Sequence, residues 1–368
     1  MGIYIVLFFI ILIMFVIENS YLTIKLGTIR IDSRKLAFEV IALSIILVGV
    51  SKSQEYGYDA ESYRINYFEY VQDKSVLEVL KSGIEPGFAL LTLILHKISS
   101  SYWLYRAFMF LFSFGGISFV IWRKSKNISL SYLLYISFGM FSFNMCIFRQ
   151  AIAVSVVLLG INNLEEKKYL KFSMFILLAS LFHYTAMFVF LLLPLTYWRF
   201  DSIRLAIRFI YSITFFLLGK FFLKYLIDLY SINDYSDYIV EGEGIGYLFV
   251  IVLLILAFEF FKHYFLDNLF WDINLYDDKE WICSDTIYEF SLGCIYIQII
   301  ALFFSLFNRV IYYPFAFAMI CLPNNVPRNK GKNNRLILSM IVILCFIMYY
   351  KTILNSTDLI PYVFEFEL

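Results

Sequence analysis

The stretch "FNMCIFRQAIAVSVVLLG", Phe143 to Gly160, sets one arginine into a run otherwise made for lipid. Arg149 has no acidic residue within fourteen positions on either side. A charge near a bilayer centre costs at least ~2.5 kcal/mol, so an ionisable residue inside a membrane segment stands as a functional candidate. The competing reading is an arginine that snorkels to a headgroup phosphate.

The rest of the chain has the same character. Its 368 residues are 61% hydrophobic, 20% aromatic and only 16% charged, with a mean hydropathy of +0.76. Soluble domains hold about 45–50% apolar and about 25% charged residues, so this is a multi-pass membrane protein. Each span takes roughly 20 apolar residues. The expectation is an all-α, polytopic transmembrane bundle of about 11–13 spans, forming one integral membrane domain over residues 1–368 with no room for a soluble one. Met1 to Ile17 is apolar from the start, without a basic n-region or a small-residue cleavage site, and reads as a first span.

A net charge of +1 says nothing about nucleic acid, and no basic, aromatic-interleaved patch appears. Cys146, Cys283, Cys294, Cys321 and Cys345 show no paired metal spacing, and most lie in or beside apolar runs where cysteine is a small buried hydrophobe. His96, His183 and His263 are far apart, so neither a metal nor a cofactor is indicated. "EGEGIG", Glu241 to Gly246, reads as a loop and helix start.

Apolar runs predict helices near 3–17, 36–50, 102–122, 130–146, 149–164, 170–183, 185–198, 205–223, 246–261, 286–307, 310–322 and 336–350. Lysine and arginine gather in the connections 18–35, 123–129, 165–171, 199–208 and 323–335. The positive-inside rule makes these cytoplasmic. The acidic stretches 51–85, 224–245 and 351–368, with both termini, then fall on the far side. The run Gly87 to Ile98 covers about 18 Å at 1.5 Å per residue, too short for a core of about 30 Å. It reads as a re-entrant or interfacial helix, so that 51–101 is an outer loop plus that helix. Residues 170–198 read as a hairpin, because basic residues flank both ends; one long tilted helix would invert everything after it.

On this map Arg106, Arg149 and Arg309 fall near the outer ends of helices. A cation at a helix N-terminus opposes the macrodipole, which makes sense if an anion binds between the arginine and the N-terminal amides. A diphosphate suits the guanidinium fork. Interfacial snorkelling is the other reading of Arg309, beside "YYP", and aromatic-belt anchoring that of Arg106. His183, in "ASLFHYTAMF", lies at an outer turn and is a candidate proton-transfer residue; its other reading is a packing histidine bonded to a carbonyl or to Tyr184. The 51–85 loop carries five tyrosines and seven carboxylates, a mixture suited to stacking on and hydrogen-bonding sugars. Tyr56, Tyr58 and Tyr63 are its candidate sugar-binding rings, and Asp59 and Glu85 its candidate carboxylates. Glu85, directly before "PGF", has an alternative role as a helix cap.

Taken in order, "YDAESY", "EPGFALLTLIL", "FRQAIAVSV", "EEKKYLKF", "LASLFHYTAMF", "NRVIYYPFAF" and "LIPYVFEF" resemble the EpsG family of polysaccharide polymerases, a group that includes many O-antigen (Wzy-type) polymerases. The resemblance runs from about Tyr56 to Phe366; residues 262–285 match none of these motifs. It implies a glycosyltransferase of the bacterial inner membrane whose active site faces the periplasm. Such an enzyme moves a growing glycan from undecaprenyl diphosphate onto a fresh lipid-linked repeat unit. The implied partners are undecaprenyl-diphosphate-linked oligosaccharides, membrane lipids and a chain-length regulator. Carried over, the "FRQ" arginine is Arg149, the "FH" histidine is His183, and the arginine before the tyrosines is Arg309. Arg149, Arg309 and Arg106 would bind the diphosphate without a metal. His183 is the first choice of base, with Asp59 or Glu85 next. A ligase or another lipid-linked glycosyltransferase would use much the same residues. A flippase or other transporter is the third class, though the internal repeats usual in transporters are not visible here.

Overall fold

The computed structural model describes residues 2–20, 24–26, 29–52, 60–197, 284–302, 307–326 and 332–355, with isolated positions between 211 and 252 and at 362. Tyr56, Tyr58, Asp59, Glu241 to Gly246 and nearly all of the expected helices 205–223 and 246–261 lie outside the described residues.

Helix α1 (Gly2–Asn19) leads to a short antiparallel ribbon, β1 (Ile24–Leu26) and β2 (Ile29–Ile31), paired Ile24 to Ile31. Apart from this ribbon the regular elements among the described residues are helical, as the all-α expectation has it. Helix α2 (Ser33–Val50) starts where the Asp32 carboxylate accepts the Arg34 amide. Three short elements follow: α3 (Ala60–Tyr63), a π-helical turn over Arg64–Glu69, and α4 (Val76–Leu80), which opens on a Ser75–Glu78 capping box. Helix α5 (Pro86–Ile98) has proline in its first turn, where the missing N–H costs nothing. Helix α6 (Tyr102–Lys124) is capped by Ser101, and α7 (Ile128–Ser137) by Asn127.

Next come α8 (Met140–Cys146), α9 (Phe148–Leu159), α10 (Ile161–Glu165) and α11 (Tyr169–Ser180). A 3-10 segment over Tyr184–Leu192 runs into α12 (Leu193–Tyr197). Then follow α13 (Asp285–Ser291), α14 (Gly293–Ala301), α15 (Phe307–Val310), α16 (Tyr312–Asn324) and α17 (Lys332–Asn355).

Among the described residues α1 and α6 are each long and apolar enough to cross a membrane, and α7 with α8 makes a third if that bent pair is one span. Several stretches expected as continuous spans are broken. Residues 130–146 bend by 63° between α7 and α8, because Gly139 takes φ +82°, a left-handed conformation that stops the first helix. The expected 149–164 divides at Gly160, 185–198 is mostly 3-10, and 286–307 divides between α13 and α14. Buried breaks of this kind are tolerated at membrane depth where protein covers the backbone.

The chain divides into two compact units. The first holds Met1–Gly160, Ser173–Met187 and Arg328–Leu368; the second holds Ile161–Phe172 and Phe188–Pro327. In the first, α6 packs along α9, α1 lies against α2 and α7, and α17 lies against α7. A side chain at Gly116 of α6 would collide with Ser155 of α9, so the small residue permits this close approach. At the far end of α6, the Glu18 carboxylate accepts the amides of Ile128 (2.9 Å) and Ser129 (2.8 Å), and Arg34 donates to the carbonyls of Trp122 and Ser125. In the second unit α16 packs against α13, with Phe317 tilted onto Phe290. Cys146, Cys294 and Cys345 are buried and form no disulfide, whereas Cys321 is disulfide-bonded.

Candidate active site

Three sequence-distant side chains meet in the first unit. Glu85 lies immediately before α5, Arg149 in the first turn of α9, and His183 in the break between α11 and the 3-10 segment. Glu85 Oε2 accepts from Arg149 Nη1 at 2.9 Å, and Glu85 Oε1 lies 2.8 Å from His183 Nδ1. The carboxylate side chain is 3% exposed, that of His183 21% and that of Arg149 27%. The carboxylate therefore sits beneath, and its two partners reach the surface of the cluster.

Local chemistry sets each position. Glu85 occupies the N-cap of α5, yet its side chain makes no capping bond. The capping role considered for it is not the one it takes. The α5 amides of Gly87 (2.8 Å) and Phe88 (3.2 Å) instead donate to the carbonyl of Leu181 at the end of α11. A helix start thus rests on a helix end, partial positive on partial negative. The His183 amide donates to the carbonyl of Ala179, which holds the histidine just past the last α-helical turn.

Burial opposes ionisation of the Glu85 carboxyl, but the His183 hydrogen bond and the Arg149 charge outweigh it and hold the pKa at about 2. An ionised carboxylate only accepts. His183 Nδ1 must then carry its proton toward Glu85, leaving Nε2 as the basic nitrogen of the neutral ring. Nε2 makes no hydrogen bond to a described residue.

Aromatic rings support Arg149 from behind. Its guanidinium lies 4.8 Å from the centre of the Tyr67 ring, and its amide donates to the Tyr63 hydroxyl at 3.3 Å. Arg149 Nε is buried and carries no hydrogen bond. Tyr63, Tyr67, Phe88 and Phe148 stack edge and face, with Tyr63 to Phe148 ring centres at 4.9 Å.

This arrangement changes several expectations. Arg149 is paired, across 64 residues of sequence, with a partner that no local window contains. Tyr63, expected as an open sugar platform, is 3% exposed because neighbouring rings cover it. The amides expected to hold an anion at the α9 start are partly engaged, since the Tyr63 hydroxyl takes that of Arg149. Arg106 is buried on α6 and donates from Nη1 to the Lys52 carbonyl at 3.3 Å. Arg309 ends up in α15 of the second unit, exposed on that unit's surface. Tyr67 was not among the expected residues. Its signal was available in "YRINY", where Tyr63 and Tyr67 stand four apart and share a helical face.

Broken apolar helices around a buried carboxylate that links an arginine to a histidine define a polytopic membrane protein with the elements of an acid–base site. The chain belongs to the EpsG family, whose model matches residues 36–364. No curated protein and no solved structure gives a match.

Proposed function

We propose that this protein is a surface-polysaccharide polymerase of the O-antigen (Wzy) type. It joins undecaprenyl-diphosphate-linked repeat units at the periplasmic face of the bacterial inner membrane. The observation that carries the reading is the single buried carboxylate, Glu85, bonded to both His183 and Arg149. Family membership supports the same reaction class.

In this reaction a hydroxyl at the non-reducing end of the acceptor unit attacks the anomeric carbon of the donor glycan. A glycosidic C–O bond forms as the bond from that carbon to the diphosphate oxygen breaks. His183 Nε2 takes the hydroxyl proton, and the proton leaves with the diphosphate or with water. Glu85 is the positioning residue: it fixes the tautomer and stabilises the imidazolium that forms, as the carboxylate does in a serine–histidine–aspartate triad. It is a poor base itself, because both oxygens are engaged and its pKa is depressed. Arg149 meets the charge that develops on the leaving diphosphate, in surroundings poor in water. A fixed guanidinium can serve where soluble sugar-nucleotide enzymes use a divalent cation, so polymerisation should persist in EDTA.

The test is a gel of surface polysaccharide from cells lacking the gene, complemented with wild type, Arg149→Ala or His183→Ala. A polymerase gives a single repeat unit on the anchor in the deletion strain, a restored ladder with wild type, and no ladder with either variant. Full-length glycan that stays on undecaprenyl diphosphate would mean a ligase. Loss of all surface glycan with lipid-linked units trapped inside would mean a transporter.

A further inference from the structure

Glu85 and His183 are each two residues from a backbone contact. Gly87 stands two residues after Glu85, Leu181 two before His183, and the Gly87 amide donates to the Leu181 carbonyl at 2.8 Å. The approach is closer than a side chain allows. A Cβ on Gly87 would lie 2.9 Å from the Leu181 carbonyl oxygen and 2.9 Å from the Leu181 Cβ, and 3.1 Å from the carbonyl carbon. Two of those three atoms are backbone and cannot rotate away, so α5 or the turn after α11 would have to move. The same displacement falls on the 2.8 Å contact between Glu85 Oε1 and His183 Nδ1, because rigid two-residue segments connect the two contacts.

Beyond this amide bond, Phe182 packs against the same hydrophobic cluster as Phe88. The second amide bond to the same carbonyl, from Phe88, is longer at 3.2 Å. Glu85 has no capping bond that would hold its carboxylate to α5 independently. Gly115 of α6 has open space around its Cβ position, so its requirement is of a different kind.

We infer that Gly87 is a positioning residue for the acid–base pair: its bare α-carbon lets α5 seat on the Leu181 carbonyl, and that seat sets the Glu85–His183 hydrogen bond. This rests on the proposed role of His183 as base. The structural half, that Gly87 sets the hydrogen bond, stands apart from the reaction assigned.

The experiment uses full-length protein in lipid nanodiscs, labelled with 15N-histidine; the chain has three histidines, and a His183→Gln sample assigns the relevant signals. Imidazole 15N shifts report which ring nitrogen carries the proton. Wild type is expected to show His183 with its proton on Nδ1, and Gly87→Ala to lose that signature in favour of the Nε2–H form. Chain extension by Gly87→Ala should fall by about tenfold to a hundredfold, the scale for misplacing a reacting group by about an ångström. In a Glu85→Gln background the same substitution should cause no further fall. Gly115→Ala should leave both readouts unchanged.

A Gly87→Ala protein that keeps the Nδ1–H signature overturns the inference, whether or not activity drops. So does a full additive loss in the Glu85→Gln background. If Gly87→Ala does not accumulate, the double variant Gly87→Ala/Leu181→Gly, which removes the clash with the Leu181 Cβ and keeps that with its carbonyl, takes its place and should lose the Nδ1–H signature in the same way. Failure of both to accumulate would make the glycine a general folding requirement and would likewise overturn it. If the tautomer shifts as expected while wild type itself extends no chains, the proposed function fails and the positioning inference stands.

Discussion

Two carboxylates at opposite ends of α6 do opposite things. Near its C-terminal end Glu18 accepts two backbone amides at the start of α7, at 2.9 and 2.8 Å. Near its N-terminal end Glu85 sits at a helix start too, yet gives both oxygens to side chains, Arg149 and His183. The helix between them is 23 residues long, or about 35 Å at 1.5 Å per residue, enough to cross a bilayer core of about 30 Å. Glu18 answers a demand that every helix start makes, because the first amides have no partner within the helix. Glu85 answers no such demand: the Leu181 carbonyl takes the α5 amides and leaves the carboxylate to organise ionisable groups. A carboxylate spent on backbone is architecture, and one spent on a base and a cation points to chemistry.

The largest effect that would break this contrast is expected at the Glu85 end. His183→Ala should cut chain extension by roughly 10²–10⁴-fold, the range for a general base. Glu85→Gln should approach it, since an amide can present its N–H to Nδ1 and stabilise the wrong tautomer. Both proteins should accumulate in the membrane at near wild-type amounts. Equal losses in Glu18→Gln and Glu85→Gln, measured as ladder length per unit of protein, would erase the distinction.

Arg149→Lys comes next. It keeps the charge and loses the planar fork and its place over Tyr67, so extension should fall by about tenfold to a hundredfold. Unchanged ladders would show that a point charge suffices and that bidentate phosphate recognition is not in play. Tyr67→Ala removes a cation–π contact worth about 0.5–2 kcal/mol and should cost severalfold in extension. Tyr67→Phe keeps the ring under the guanidinium and should stay near wild type; a Phe variant as poor as the Ala one would assign the effect to the hydroxyl. At the other end, Glu18→Ala should cost about 1 kcal/mol in thermal stability, as lost caps do, with polymerisation per folded molecule unaltered.

The parts legible in the sequence follow from what each signal measures. Helices α1, α2 and α6 were readable because long apolar runs have one solution in a membrane. Arg149 and His183 stood out because charge is rare there, and Glu85 because it precedes "PGF". Their meeting was not readable: 64 and 98 residues separate Glu85 from its partners, and no period or window joins them. The breaks at Gly139 and between α13 and α14 were hidden for a related reason, since hydropathy registers how apolar a stretch is and not whether its helix is continuous. That neighbouring rings cover Tyr63 is not legible either, because composition cannot tell a ring that faces a ligand from one that backs an arginine.

The smallest expected effect is an absence of loss, and it sharpens the contrast most. Glu85 is held at a pKa of about 2, from an ordinary value of 4.5. A group whose folded pKa is depressed adds stability that is fully present above its unfolded pKa and is lost as pH falls through the folded one. For Glu85 that loss runs from about pH 4.5 down to about 2. Between pH 8 and pH 5 the carboxylate stays ionised and its bonds to Arg149 and His183 keep an anionic acceptor. The difference in melting temperature between wild type and Glu85→Gln, measured in one detergent across that window, should therefore not close as pH falls. A gap that closes as pH drops from 8 to 5 would mean the carboxylate takes up a proton there. Glu85 could then trade protons with His183 during turnover, and the division of labour between buried anchor and half-buried base would have to be redrawn.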